Sequence, residues 1–112
     1  MEEFRKLAQA AFHQPPAMLN CAQSVAQIAG HDEVLASYQA FGGGRAEGGL
    51  CGALYAAFQF IPEEQREKAK EEFAQKAGAL TCREIKGTSK TPCQECVAIG
   101  AWLVNQYGKK DA

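Results

Sequence analysis

The segment Phe41–Phe58, FGGGRAEGGLCGALYAAF, joins a glycine-rich loop to an apolar run that begins at a cysteine, Cys51. Gly42, Gly43, Gly44, Gly48 and Gly49 lack the Cβ that bars positive φ, so the chain can turn sharply here or let another group approach closely. That freedom costs entropy on folding. A chain that keeps it beside Cys51 is expected to use that thiol, or to bring other thiols to it. The run from Leu50 to about Phe60 is apolar nearly all round, the pattern of a central helix, with Cys51 in its first turn.

Outward from this junction the apolar spacing is helical nearly everywhere and β-branched residues are few. On the N-terminal side, Asp32 is a plausible N-cap for a short helix through Val34, Leu35, Tyr38 and Phe41. Before it, Ala17 to Ala29 reads as a helix with Met18, Cys21, Val25 and Ile28 on its inward face and Gly30 as its stop. From Glu2 to about Phe12, Phe4, Leu7, Ala8 and Ala11 recur at three and four, and His13-Gln14-Pro15-Pro16 ends that helix.

On the C-terminal side, Ile61-Pro62-Glu63-Glu64 opens a helix with proline at N1 that runs to about Lys76. Only Ala69, Phe73 and Ala77 give it an inward stripe, so it is an outer, solvated helix. Leu80–Ile85 forms a short helical turn before the loop Gly87–Lys90. Thr91 as N-cap, Pro92 at N1 and Gln94 at N3 then make a capping-box start for a last helix, Pro92 to Tyr107, with Cys96, Ile99, Leu103 and Tyr107 along one stripe. The expected architecture is all-α: residues 1–112 as one domain, a bundle of five to six helices with the glycine-rich loop before a central helix.

Composition narrows the function classes. Hydrophobic residues make up 46% and charged residues 22% of the 112, and the net charge of −1 leaves no electrostatic footprint for nucleic acid or an anionic membrane. No apolar stretch approaches the ~18 residues of a membrane span. The N-terminus mixes charged and apolar residues rather than forming a secretory signal, so a cytoplasmic location is expected unless a leader has been removed. No acid–base–nucleophile triad is evident, which leaves hydrolysis without support.

Five cysteines, Cys21, Cys51, Cys82, Cys93 and Cys96, are many for this length and odd in number. In a reducing compartment that favours active thiols or metal ligands over a static disulfide framework. Cys93 and Cys96 form C-x-x-C at a helix start, where unpaired N–H groups and the dipole stabilise thiolates. Folding short helices together would bring Cys21, Cys51 and Cys82 to that pair, and four thiolates suit Zn²⁺ or an iron–sulfur cluster. The plain alternative is a cysteine packed as a small hydrophobe. His13, His31 and Trp102 read as ordinary surface or core residues. The glycine loop is neither a P-loop nor a dinucleotide fingerprint, though Arg45 beside it could hold an anion. Glu47 could carry a proton for Cys51, and as a loop acid it is more simply solvated.

Taken together, Asn20-Cys21-Ala22, the glycine loop running into Gly49-Leu50-Cys51-Gly52-Ala53-Leu54-Tyr55-Ala56, Cys82-Arg83, and Cys93 followed four residues later by Val97 resemble the C_GCAxxG_C_C family of redox-active, cysteine-rich small proteins. The resemblance spans roughly residues 17–104. It implies an all-helical protein with Cys21, Cys51, Cys82 and Cys93 at the family's cysteine positions, and a similar domain beside haem in split-Soret-type cytochromes makes those four conceivable cluster ligands. Two features depart from the pattern: Ala56 stands at the motif's closing glycine, and Cys96 is additional.

The function expected from all this is electron transfer or thiol–disulfide exchange by clustered cysteines. Cys93 and Cys96 would be the exchanging pair and Cys51 a helix-terminal thiolate. Cys21, Cys51, Cys82 and Cys93 would be the set able to hold an iron–sulfur cluster or zinc. The partner would be a redox protein or a small thiol. The competing readings are a structural zinc module and a helical interaction module with packed cysteines.

Overall fold

The computed structural model describes residues 2–15, 18–41 and 47–108, with backbone only at Phe41 and Glu47. Gly42, Gly43, Gly44 and Arg45, singled out above, lie outside the described residues, as does the side chain of Glu47. Among the described residues no strand forms and the architecture is all-α. Its helices are α1 (Glu2–Ala11), α2 (Cys21–Ile28), α3 (Leu35–Tyr38), α4 (Gly52–Gln59), α5 (Glu63–Ala77), α6 (Cys82–Glu84) and α7 (Cys93–Tyr107). Seven segments replace the expected five to six, because the single turns α3 and α6 stand as helices of their own.

Local chemistry explains where the boundaries moved. The helix expected from Ala17 starts at Cys21, since Asn20 forms a capping box there. Its side chain accepts from the Gln23 amide at 2.8 Å, and the Gln23 side chain accepts from the Asn20 amide at 3.0 Å. Met18, expected on the inward face, precedes the helix at φ 51° and is 57% exposed. Leu7 on α1 is also 41% exposed, leaving Ala8 and Ala11 to face the interior.

Pro62 is the N-cap of α5 rather than its first residue, and Gly78 ends that helix in the left-handed region. Ala69, Phe73 and Ala77 are its buried stripe, as the spacing predicts. The capping box expected at Thr91 is absent: Pro92 occupies the N-cap, and the Thr91 hydroxyl donates instead to the Ala77 carbonyl at 2.8 Å. A carbonyl orphaned at the end of α5 has taken the cap's hydroxyl. The expected loop Gly87–Lys90 is in large part a π-helical turn, Ile85–Ser89, closed by the Lys90 amide donating to the Ile85 carbonyl at 2.6 Å.

The last helix is the pillar of the fold. Helices α1, α2, α4 and α5 all pack on α7, and α4 also packs on α2 and α5. Val25, Leu54, Phe73, Val97, Ile99 and Leu103 fill the core between them. At the crossing of α2, α4 and α7 stands Gly100, where a Cβ would meet the Ala53 carbonyl oxygen at 2.9 Å and Val25 Cγ2 at 3.0 Å. The three backbones approach this closely because position 100 has no side chain.

Helices α2, α4 and α7 run in the same direction. Their C-terminal ends meet in a groove lined by Ile28, Ala29, His31, Phe60, Val104 and Gly108, and their N-terminal ends carry Cys21, Cys51 and Cys93. In the opposite direction α5 returns along α7, tied by Tyr107 donating to Glu72 at 2.7 Å and by the Lys76 ammonium 4.7 Å above the Trp102 ring. Arg5 on α1 donates to both carboxylate oxygens of Glu95 in the first turn of α7, at 3.0 and 3.1 Å.

Candidate functional site at converging helix N-termini

Each cysteine is placed by a helix start. Cys21 is the first residue of α2, directly after the Asn20 cap. The Asn20 amide nitrogen also donates to the Gln39 carbonyl at 2.9 Å, and the Gln23 amide nitrogen to the Leu35 carbonyl at 2.7 Å, so the cap that fixes Cys21 is anchored to the segment after it. Ser24, fully buried, donates to the Asn20 carbonyl at 2.7 Å and closes the turn.

Cys51 is the N-cap of α4, with φ −55° and ψ 130°, and its carbonyl accepts the first helical bond from Tyr55 at 2.9 Å. Gly48 and Gly49, at φ 69° and 73°, lead into it through the left-handed region that glycine tolerates. The Cys51 amide donates to the Leu80 carbonyl at 2.9 Å, beside an antiparallel bridge between Leu50 and Thr81. That stitch brings Cys82 to the site.

Cys82 opens α6, behind Thr81, which accepts from the Glu84 amide at 3.1 Å and donates to the Glu84 carboxylate at 2.9 Å. Cys93 opens α7 after Pro92, and Cys96 follows one turn in, its amide donating to the Pro92 carbonyl at 3.1 Å. All five cysteines are present as thiols.

The thiols form two groups. Cys21, Cys51 and Cys96 are 7%, 6% and 1% exposed. The Cys51 thiol is hydrogen-bonded with both Cys21 and Cys96. Cys82 and Cys93 are only half-buried, and Cys93 feels the charges of Cys21, Lys86 and Cys82. The two halves of the C-x-x-C therefore face different neighbours: Cys96 looks inward to Cys51, Cys93 outward to Cys82 and Lys86. Cys21 meets both groups.

Position at a helix N-terminus does not make these thiols acidic, contrary to the expectation for Cys51 and Cys93. The hydrogen bond from Cys21 acts to lower the Cys51 pKa. The hydrogen bond to Cys96, burial and the nearness of a second thiolate oppose it, and together they push Cys51 up to about 12. Cys93 is raised chiefly by burial and then by Cys21, with Lys86 pulling the other way. At Cys51 the bond to Cys96 is the first of the raising causes, and at Cys93 burial is.

The donor chemistry of four thiols suits zinc or an iron–sulfur cluster. The spacing does not: among the described residues no group of three or more His, Cys, Asp or Glu side chains stands so as to hold a metal ion.

Other residues flagged in the sequence lie elsewhere. His13 stacks on Phe12 with ring centroids 3.8 Å apart. His31 stacks on Phe60 at 4.2 Å and pairs with Glu33 at 3.1 Å, at the opposite end of α2 and α4 from the thiols. Sequence reading missed the two caps that aim cysteines. Both were signalled by N-x-x-Q at Asn20–Gln23 and T-x-x-E at Thr81–Glu84, each cap residue immediately preceding a cysteine. Lys86 carried no signal, because a turn brings it to Cys93. No helix of the described residues is long and apolar enough to cross a membrane. Comparisons with protein-family models, curated proteins and solved structures found no match.

Proposed function

We propose that this chain is a thiol redox protein of the C_GCAxxG_C_C type, exchanging electrons with a disulfide of a partner protein or a small thiol in a reducing, cytoplasmic setting. The observation that carries the reading is the meeting of thiols from separate helix starts, with Cys51 hydrogen-bonded between Cys21 and Cys96. Burial alone would scatter cysteines through a core, whereas here four of the five stand at the start or cap of a helix and Cys96 follows one turn into α7.

Cys82 and Cys93, the half-exposed pair, are the thiols a disulfide in solution can reach. Lys86 favours the thiolate of Cys93, the species that attacks. The raised pKa of Cys93 makes the reaction slow at neutral pH and faster as pH climbs, a pattern suited to exchange with a docked partner rather than to scavenging free oxidants.

Metal analysis and an ultraviolet–visible spectrum of anaerobically purified protein, followed by thiol titration before and after glutathione disulfide, test the reading. A metal-free protein whose thiol count falls reversibly by two is the expected result. Stoichiometric iron with sulfide absorbance would replace it with cluster-based electron transfer, and zinc whose chelation unfolds the chain with a structural site. Five thiols that ignore oxidant would leave a helical interaction module.

A further inference from the structure

The two half-exposed thiols, Cys82 and Cys93, bracket the segment CREIKGTSKTPC, which carries the cations Arg83, Lys86 and Lys90 against a single carboxylate, Glu84, in a chain whose net charge is −1. From Cys82 to Ser89 the backbone is continuously helical, α6 running into the π-helical turn, with Lys90 as its cap. Arg83, Lys86 and Lys90 follow one another at three and four residues, which sets them on one side of that turn, while Ile85 is buried on the other. Lys86 stands one turn beyond Cys82, and Lys90 lies three residues from Cys93, a reach of about 10 Å. The segment is pinned. The Ser89 and Thr91 hydroxyls both donate to the Ala77 carbonyl, at 2.6 and 2.8 Å, and the Lys90 amide donates to the Ile85 carbonyl at 2.6 Å. All three cations are exposed.

The acids closest to them in the chain have partners of their own: Glu84 accepts from the Thr81 hydroxyl at 2.9 Å, and Glu95 is gripped by Arg5. The ion pairs among the described residues join Arg5 to Glu2 and Glu95 and His31 to Glu33, and reach none of the three cations. Exposed on a turn, these cations protrude, whereas small molecules are held in concave sites that cover most of their surface. Resting on the thiol-redox reading above, we infer that Arg83, Lys86 and Lys90 form a docking rim for an acidic segment of a partner protein, so that the disulfide exchanged at Cys82 and Cys93 is one flanked by aspartate or glutamate. Charges on such a rim steer encounter and set which partner is accepted. Once docked, one outer thiolate attacks the partner's disulfide. One S–S bond forms between the two proteins, the partner's own S–S bond breaks, and its second sulfur leaves as a thiolate.

The test uses the whole reduced protein and two symmetric disulfide-linked peptides of equal length, one with glutamates and one with lysines on both sides of the cysteine. Glutathione disulfide serves as a small anionic reference, and mixed-disulfide formation is followed by acid quenching and mass spectrometry. The acidic peptide should react on the order of tenfold faster than the basic one at about 0.01 M salt, and the gap should close at about 1 M, where the screening length has shrunk from roughly 30 Å to about 3 Å. In Lys86→Gln/Lys90→Gln the preference should fall by about threefold or more. Losing Lys86 alters the thiolate population equally for every probe, so the ratio between probes isolates docking from acidity. Lys68→Gln/Lys70→Gln, which removes two exposed lysines of α5, should leave the ratio where it was. Equal rates for the two peptides, a preference that survives high salt, or an equal loss in the α5 variant overturns the rim and leaves the redox reading standing. Glutathione disulfide reacting as fast as the acidic peptide overturns a protein segment as the occupant. No reaction with any of the three probes removes both the rim and the redox reading. Should a variant fail to fold, the salt dependence of the unaltered protein still decides.

Discussion

The two ends of the parallel helices α2, α4 and α7 are built on opposite plans. At the N-terminal end the helices start beside cysteines, and three of the five thiols are almost sealed from water. At the C-terminal end they meet aromatic residues, Phe60 stacked against His31 and tilted toward Tyr38 at 6.1 Å, and leave open grooves. The same three helices thus carry an end loaded with thiols and a chemically plain one, with the close crossing at Gly100 between them.

Alkaline titration should separate the ends most sharply. The folded protein favours the neutral Cys51 thiol, so the stabilisation is complete below the ordinary thiol value of 9.0 and is lost as pH rises toward about 12. Its full size is on the order of 4 kcal/mol. Denaturant melts of reduced protein between these limits should lose stability more steeply than melts of Cys51→Ala, and parallel curves would show that Cys51 is not held neutral by the fold.

Gly100→Ala comes next, because the new methyl meets backbone at the Ala53 carbonyl and must push α4 from α7. A loss of about 1–3 kcal/mol is expected, together with faster alkylation of Cys96. Unchanged alkylation would uncouple the crossing from the thiol end.

Removing a cap tests the loaded end alone. Asn20→Ala should cost about 0.5–2 kcal/mol and raise the reactivity of Cys21, whose position depends on the bonds of Asn20 to Gln23 and Gln39. Thr81→Ala should do the same for Cys82 at the lower end of that range. The smallest effect belongs to the plain end: His31→Ala removes the stack on Phe60 at about 0.5–1.5 kcal/mol and should leave the rates of all five thiols where they were. A change in thiol rates there would break the contrast outright.

How far the sequence anticipates this differs from residue to residue. Helical spacing gave the buried stripe Ala69, Phe73 and Ala77 and the inward faces of Cys21 and Cys96, since these depend on periodicity alone. The glycine-to-cysteine junction announced a helix from Leu50 with Cys51 in its first turn, and the structure begins α4 two residues later, with Cys51 as its cap. What spacing does not carry is competition between distant partners. Thr91 had every local reason to cap α7, yet the Ala77 carbonyl claims its hydroxyl. Met18 fits a helical face by pattern, while the cap at Asn20 starts the helix beyond it. The acidity expected of Cys51 and Cys93 failed for a like reason: a dipole is a local property, whereas the burial and the neighbouring sulfurs that override it exist only once the helices have met.

The stitch between Cys51 and Leu80 has a consequence in time as well as in space. A single backbone hydrogen bond and one bridge join segments separated by the whole of α4 and α5, and closing such a span delays the reward until both helices have been ordered. During synthesis, Cys21 and Cys51 leave the ribosome long before Cys96 exists to cover them. The nascent chain passes through an interval in which its future interior thiols are solvated and as reactive as any cysteine in an unfolded peptide. Arrival of α7 ends that interval, so the helix that completes the core is also the one that shelters its sulfurs from oxidation during assembly.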